Sequence, residues 1–123
     1  MKSLTLSLSF FIAFSSLADD KPTHSAVSPE PRGGGWMKRH ESFNQRVTKG
    51  NVDLIFIGDS ITHGWEGRGK DVWAKYYAKR NAVNLGIGGD RTQHVLWRLD
   101  NGNIKNISPK LAVVMIGTNN SGD

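Results

Sequence analysis

The sequence predicts an α/β fold built on a parallel sheet. Three observations predict it: helical and strand-like segments alternate, the strand-like runs are apolar, and each run ends in a polar loop that contains glycine. Leu54-Ile55-Phe56-Ile57 and the run from Leu111 to Ile116 carry no alternating polar residue, the pattern of strands covered on both faces.

The first 18 residues differ from the rest. Lys2 supplies a positive start, Leu4 to Phe14 an apolar stretch, and Ser16-Leu17-Ala18 a small-x-small cleavage site. Together they predict a signal peptide cleaved near Ala18 and a secreted or periplasmic product. The apolar stretch is shorter than the ~20 residues a span requires, so no stable membrane anchor is expected. Residues 19–35 hold Pro22, Pro29 and Pro31 and end in Gly33-Gly34-Gly35, a composition that predicts a flexible linker. The folded domain is expected over residues 36–123.

The 123 residues carry a formal charge of +5, which falls by one if Lys2 is removed with the leader. The 16 basic residues are scattered, so no nucleic-acid partner is expected. No cysteine is present, and no disulfide can staple the fold.

Trp36, His40, Phe43 and Val47 recur at i, i+4, i+7 and i+11 and predict one buried helix face, closed by Gly50. The strand over residues 54–57 follows. Asp71 is placed to cap a helix whose apolar side is Val72, Trp73, Tyr76 and Tyr77. A second strand, Ala82 to Leu85, leads into Gly86-Ile87-Gly88-Gly89-Asp90. Thr92 is placed to cap a third helix through Val95, Leu96 and Leu99, with Gly102 as its stop. The strand from Leu111, expected to be buried, ends at Gly117.

In such a sheet the ligand site lies beyond the carboxyl ends of the strands, so the three loops are expected to converge. The first, Gly58-Asp59-Ser60-Ile61-Thr62-His63-Gly64, presents a serine at a helix start, where backbone N–H groups favour a developing oxyanion. The second, around Gly89, exposes backbone N–H groups. A dinucleotide fingerprint from Gly86 and Gly88 would need glycine where Arg91 stands. The third, Gly117-Thr118-Asn119-Asn120, brings two neutral amide donors. Each loop alone also fits an ordinary cap or turn; their occurrence at three successive strand ends favours a site. Trp65, Trp73, Tyr76 and Tyr77 fit either a core or the wall of an acyl or sugar pocket.

These three loops resemble the first three sequence blocks of the SGNH, or GDSL-type, esterase and lipase superfamily. The likeness to the platelet-activating-factor acetylhydrolase catalytic-subunit branch extends through Asn84 to Asp90, His94-Val95-Leu96-Trp97-Arg98-Leu99 and Asn101-Gly102. The resemblance implies a flavodoxin-like three-layer α/β/α sandwich, with about three strands in this chain. It implies Ser60 as nucleophile, with the Ser60 and Gly89 N–H groups and the Asn119 side chain as oxyanion hole. Gly58, Asp59 and Gly117 support the motif. The implied reaction is hydrolysis of a small-molecule ester, such as an acetylated lipid or sugar, through an acyl-enzyme. No metal or other cofactor is implied, and members of this branch can form homodimers.

The family also uses an Asp-x-x-His pair near its C-terminus as base and orienting acid, and no such pair occurs here. The expectation is therefore the N-terminal part of such a domain, C-terminally truncated, with little or no esterase activity alone. His63, three residues after Ser60, is set aside as the base for want of an acid partner. A non-catalytic module that holds a carbohydrate or acyl ligand on the same fold is the alternative.

Overall fold

The computed structural model describes residues 24–121. The expected signal peptide and the first residues of the linker lie outside them. Three strands, β1 (Leu54–Gly58), β2 (Ala82–Gly86) and β3 (Leu111–Met115), form one sheet in the order β2-β1-β3. Both pairings are parallel. Four α-helices among the described residues accompany them: α1 (Gly35–Thr48), α2 (Ser60–His63), α3 (Lys70–Tyr76) and α4 (Thr92–Arg98). A parallel three-stranded sheet flanked by helices is the α/β arrangement expected, and the 2-1-3 order is that of a flavodoxin-like sheet.

The strand periodicity of two assigns the layers. Ile55 and Ile57 of β1 join Val83 and Leu85 of β2 in a core with Trp36 and Phe43 of α1 and Val95 of α4. Phe56 faces the other way, where Trp65, Trp73 and Tyr77 surround its ring at centroid distances of 5.0–6.2 Å. The α1 face is as predicted, with Trp36, His40, Phe43 and Val47 all buried and Gly50 at φ +66° just beyond. Three of the four aromatics with two possible roles therefore pack on Phe56; Tyr76 is exposed, as is Val72.

Three expectations are corrected. Asp71 does not cap α3: Gly69 holds that position and Asp71 lies in the first turn, where its charge faces the positive helix end. Thr92 does not cap α4, which starts after Arg91, because the Thr92 hydroxyl donates instead to the Ala26 carbonyl at 2.6 Å. The strand from Leu111 is not buried. Leu111, Val113, Val114 and Met115 are 41–59% exposed, since β3 is an edge strand that pairs only with β1 among the described residues.

The described part of the proline-rich segment lies along α4. Besides the Ala26 contact, Glu30 N–H donates to the Gln93 carbonyl at 3.3 Å, and Arg32 reaches the Gly88 carbonyl at 3.1 Å. No helix among the described residues is long and apolar enough to cross a membrane.

Candidate functional site

Strand register places the site. Gly58 of β1 stands opposite both Gly86 of β2 and Met115 of β3, so the three strands end level and their loops open on one edge. The chain leaves β1 toward β2 on one side and returns to β3 on the other. The crevice between β1 and β3 is the switch point of this sheet, with Ser60 on one bank and Asn119 on the other.

Ser60 is the first residue of α2 and is exposed. Asp59, fully buried, caps that helix by accepting the Ile61 N–H at 2.9 Å. Gly58 is needed for space rather than for an unusual backbone angle. A Cβ there would collide with the Thr62 side chain and the Met115 carbonyl. Gly86 is hemmed in the same way by the backbone of Thr62 and His63. Two small residues at neighbouring strand ends thus let α2 sit directly on the sheet edge.

The second loop is pinned at every amide but one. Gly86 N–H donates to Asn84 Oδ1 (2.9 Å), Ile87 N–H to the Gly58 carbonyl (3.1 Å), Gly88 N–H to His63 Nδ1 (3.3 Å) and Asp90 N–H to the Ile87 carbonyl (3.2 Å). Gly89, at φ +77°, has an N–H with no acceptor among the described residues, and the Ser60 N–H likewise has none. The position a Gly88 Cβ would take is 3.8 Å from Ser60 Cβ, so the two loops touch.

Asn119 ties all three loops together. Its Nδ2 donates to the Asp90 carbonyl at 2.8 Å and lies 3.4 Å from Asp59 Oδ2. Asn120 accepts the Thr92 N–H at 3.0 Å, supplying from the third loop the cap that Thr92 does not give α4. Gly117, at φ +115°, makes the turn out of β3. The structure therefore brings together every residue singled out from sequence: Ser60, Gly89 and Asn119, with Gly58, Asp59 and Gly117 supporting them.

Sequence reasoning missed the buried hub beneath this site. Asp90 and Arg98 are both fully buried, and the Asp90 carboxylate accepts from Trp36 Nε1 (2.6 Å), Arg98 Nε (2.9 Å) and Arg32 Nη1 (3.4 Å). Arg98 Nη1 passes on to Asn103 Oδ1 at 2.7 Å. Burial, opposed by the Asp90 charge, leaves the Arg98 pKa lowered. The one available signal was two charges of opposite sign eight positions apart, one just before α4 and one at its end.

None of the four histidines serves Ser60. His24 is exposed and caps a short turn through Ala26 N–H. Burial, and then the Arg98 charge, lowers the pKa of His40, which is packed between Trp36 and Trp97. Burial also lowers that of His94, whose Nδ1 accepts the Arg91 N–H at 2.9 Å. His63 does have a carboxylate nearby, contrary to expectation: Glu66 Oε2 lies 3.8 Å from its Nε2. Its Nδ1 lone pair, however, accepts the Gly88 N–H, and Glu66 is gripped by Arg39 at 2.6 and 3.1 Å. Ser60 Oγ makes no hydrogen bond among the described residues.

One cavity is lined by Ser60, and a second lies beyond its neighbour Ile61. A cleft of about 430 Å³ is lined by Ser60, His63, Glu66 and Arg68 among others. An apolar one of about 500 Å³ lies between Phe56, Ile61, Trp65 and the exposed side chains of β3.

Residues 56–123 match the GDSL-like Lipase/Acylhydrolase family. The chain is 44% identical over 92 residues to "Platelet-activating factor acetylhydrolase IB subunit alpha1" of Homo sapiens, covering 72% of this chain and 38% of the relative. It is 42% identical over 85 residues to "Platelet-activating factor acetylhydrolase IB subunit alpha2" of Rattus norvegicus, covering 69% of this chain and 36% of the relative. The chain thus spans well under half the length of these relatives. With the family match, the shared sequence and the level strand ends all in agreement, the chain belongs to the GDSL-like lipase/acylhydrolase family.

Proposed function

We propose that this chain carries the nucleophile and oxyanion-hole part of a serine acylhydrolase that cleaves carboxylic esters. The observation that carries the reading is the pair of unclaimed amides, Ser60 N–H and Gly89 N–H, on loops joined by the Asn119 side chain. Ser60 Oγ attacks the ester carbonyl carbon, and the carbonyl oxygen becomes an oxyanion that accepts hydrogen bonds from the Ser60 and Gly89 amides and from Asn119 Nδ2, which exchanges its long 3.4 Å contact with Asp59 Oδ2 for the oxyanion. Collapse expels the alcohol and leaves an acyl-Ser60 ester, which water then cleaves. Relatives named as platelet-activating factor acetylhydrolase subunits support an acetyl ester as the substrate, with acetylated lipids or carbohydrates as the candidate class. Their being named as subunits supports assembly with further chains, a homodimer included. The composition of residues 1–18 supports export.

The Ser60 proton needs a base, and each histidine of this chain is engaged elsewhere. We therefore expect the 123-residue chain to hydrolyse esters slowly unless a base is supplied. The test is p-nitrophenyl acetate cleavage by the parent chain, Ser60→Ala and Asn119→Ala, with and without added imidazole. Release that requires Ser60 and falls about 10²-fold in Asn119→Ala supports the reading. Equal release by the parent and Ser60→Ala under both conditions rejects it.

A further inference from the structure

We propose that Arg32, from the segment that precedes α1, is a positioning residue that aims the Gly89 N–H at the oxyanion. The inference rests on the reading of Gly89 as an oxyanion donor. The Gly88 carbonyl and the Gly89 N–H belong to one planar trans unit and point in opposite directions, so whatever fixes the first aims the second. Arg32 Nη1 donates to that Gly88 carbonyl at 3.1 Å and lies 3.4 Å from Asp90 Oδ1.

Glycine at 89 makes such a hold necessary. At φ +77° the residue has no Cβ to restrict it, and its own N–H has no acceptor to hold it in place. The neighbouring amides are all pinned from within the domain: Gly88 N–H by His63, and Asp90 N–H by the Ile87 carbonyl. The plane between Gly88 and Gly89 has one anchor among the described residues, and that anchor is Arg32. Asp90 keeps the guanidinium in place, and is itself fixed by Trp36 and Arg98. The positive charge behind the carbonyl also polarises the peptide unit, which strengthens the N–H as a donor.

A group that aims a transition-state donor without touching the substrate acts on kcat and spares KM. Arg32 is 38% exposed in its side chain, so its replacement leaves the core intact. Lysine can reach the same carbonyl with a point charge, whereas glutamine brings a neutral amide.

The experiment compares the full 123-residue chain with Arg32→Gln and Arg32→Lys. Amide NMR of Gly88, Gly89 and Asp90 is recorded beside p-nitrophenyl acetate kinetics in added imidazole. Arg32→Gln should shift the Gly89 amide resonance and lower kcat about tenfold at unchanged KM, and Arg32→Lys should recover most of both. Core resonances such as those of Val47 and Leu85 should stay in place. A Gly89 resonance unmoved in Arg32→Gln overturns the proposal, as does a loss of kcat that Arg32→Lys does not recover. If turnover proves independent of Ser60, the catalytic reading fails separately, and the aiming of Gly89 stands or falls on the NMR shift.

Discussion

Replacing the buried Asp90 carboxylate probes how the site is held up from below. Asp90→Asn keeps the shape but removes the charge that faces Arg98, whose Nη2 has no hydrogen-bond partner among the described residues. Breaking a buried pair by removing one partner costs about 3–5 kcal/mol, and a neutral amide that can still accept one bond retains part of that. A loss of about 2–3 kcal/mol follows for Asp90→Asn, and about 4–6 kcal/mol for Asp90→Ala, which also strands the Trp36 N–H. A domain of this size has only about 5–15 kcal/mol in total, so Asp90→Ala should lose about a third or more of its stability. Urea denaturation followed by tryptophan fluorescence measures the effect, since Trp36 bonds to Asp90 directly. With a urea dependence of about 1–2 kcal/mol per molar, the Asp90→Asn midpoint should fall by at least about 1 M. A midpoint within about 0.3 M of the parent would refute the reasoning, because desolvation of the pair would then cancel its attraction.

Two further perturbations have equally definite outcomes. Gly58→Ala and Gly86→Ala should each destabilise the chain by about 1–3 kcal/mol or more, as the new methyl group meets backbone that cannot yield, whereas Gly64→Ala, with open space around it, should be near neutral by the same urea measurement. Stability should also fall as pH is lowered through the histidine range. The folded pKa values of His40 and His94 lie below 6.5, so the unfolded chain binds more protons there. Their contribution is complete above 6.5 and is lost as pH falls through the folded values. The slope is up to about 1.4 kcal/mol per pH unit for each, and His40→Gln should remove its share; an unchanged slope in that variant would contradict the assignment. Asp53, held below the usual carboxylate range by Asn81 and then Lys110, adds a separate loss only at more acidic pH.

The fold was legible because apolar runs and helical spacing report burial directly. Leu54 to Ile57 and the Trp36, His40, Phe43, Val47 face needed no long-range information. β3 shows the limit of that signal: its run from Leu111 is as apolar as β1, but hydropathy states what a strand can bury, not what covers it. The caps failed for a related reason. Asp71 and Thr92 are residues that favour helix starts, yet Thr92 found the Ala26 carbonyl, 66 positions away. Asp90 eluded sequence reasoning because its partners Trp36 and Arg32 lie 54 and 58 positions off. The three loops could be read because parallel strands that end level must place them together, whatever their separation in sequence.

The most direct test of the account is Ser60-dependent cleavage of p-nitrophenyl acetate with imidazole as a supplied base. Little release is expected from the chain alone, with a clear stimulation by imidazole that vanishes in Ser60→Ala. A burst without imidazole that depends on Ser60 would contradict the claim that no histidine serves this nucleophile. Release indifferent to Ser60 with or without imidazole would contradict the assignment of Ser60 itself.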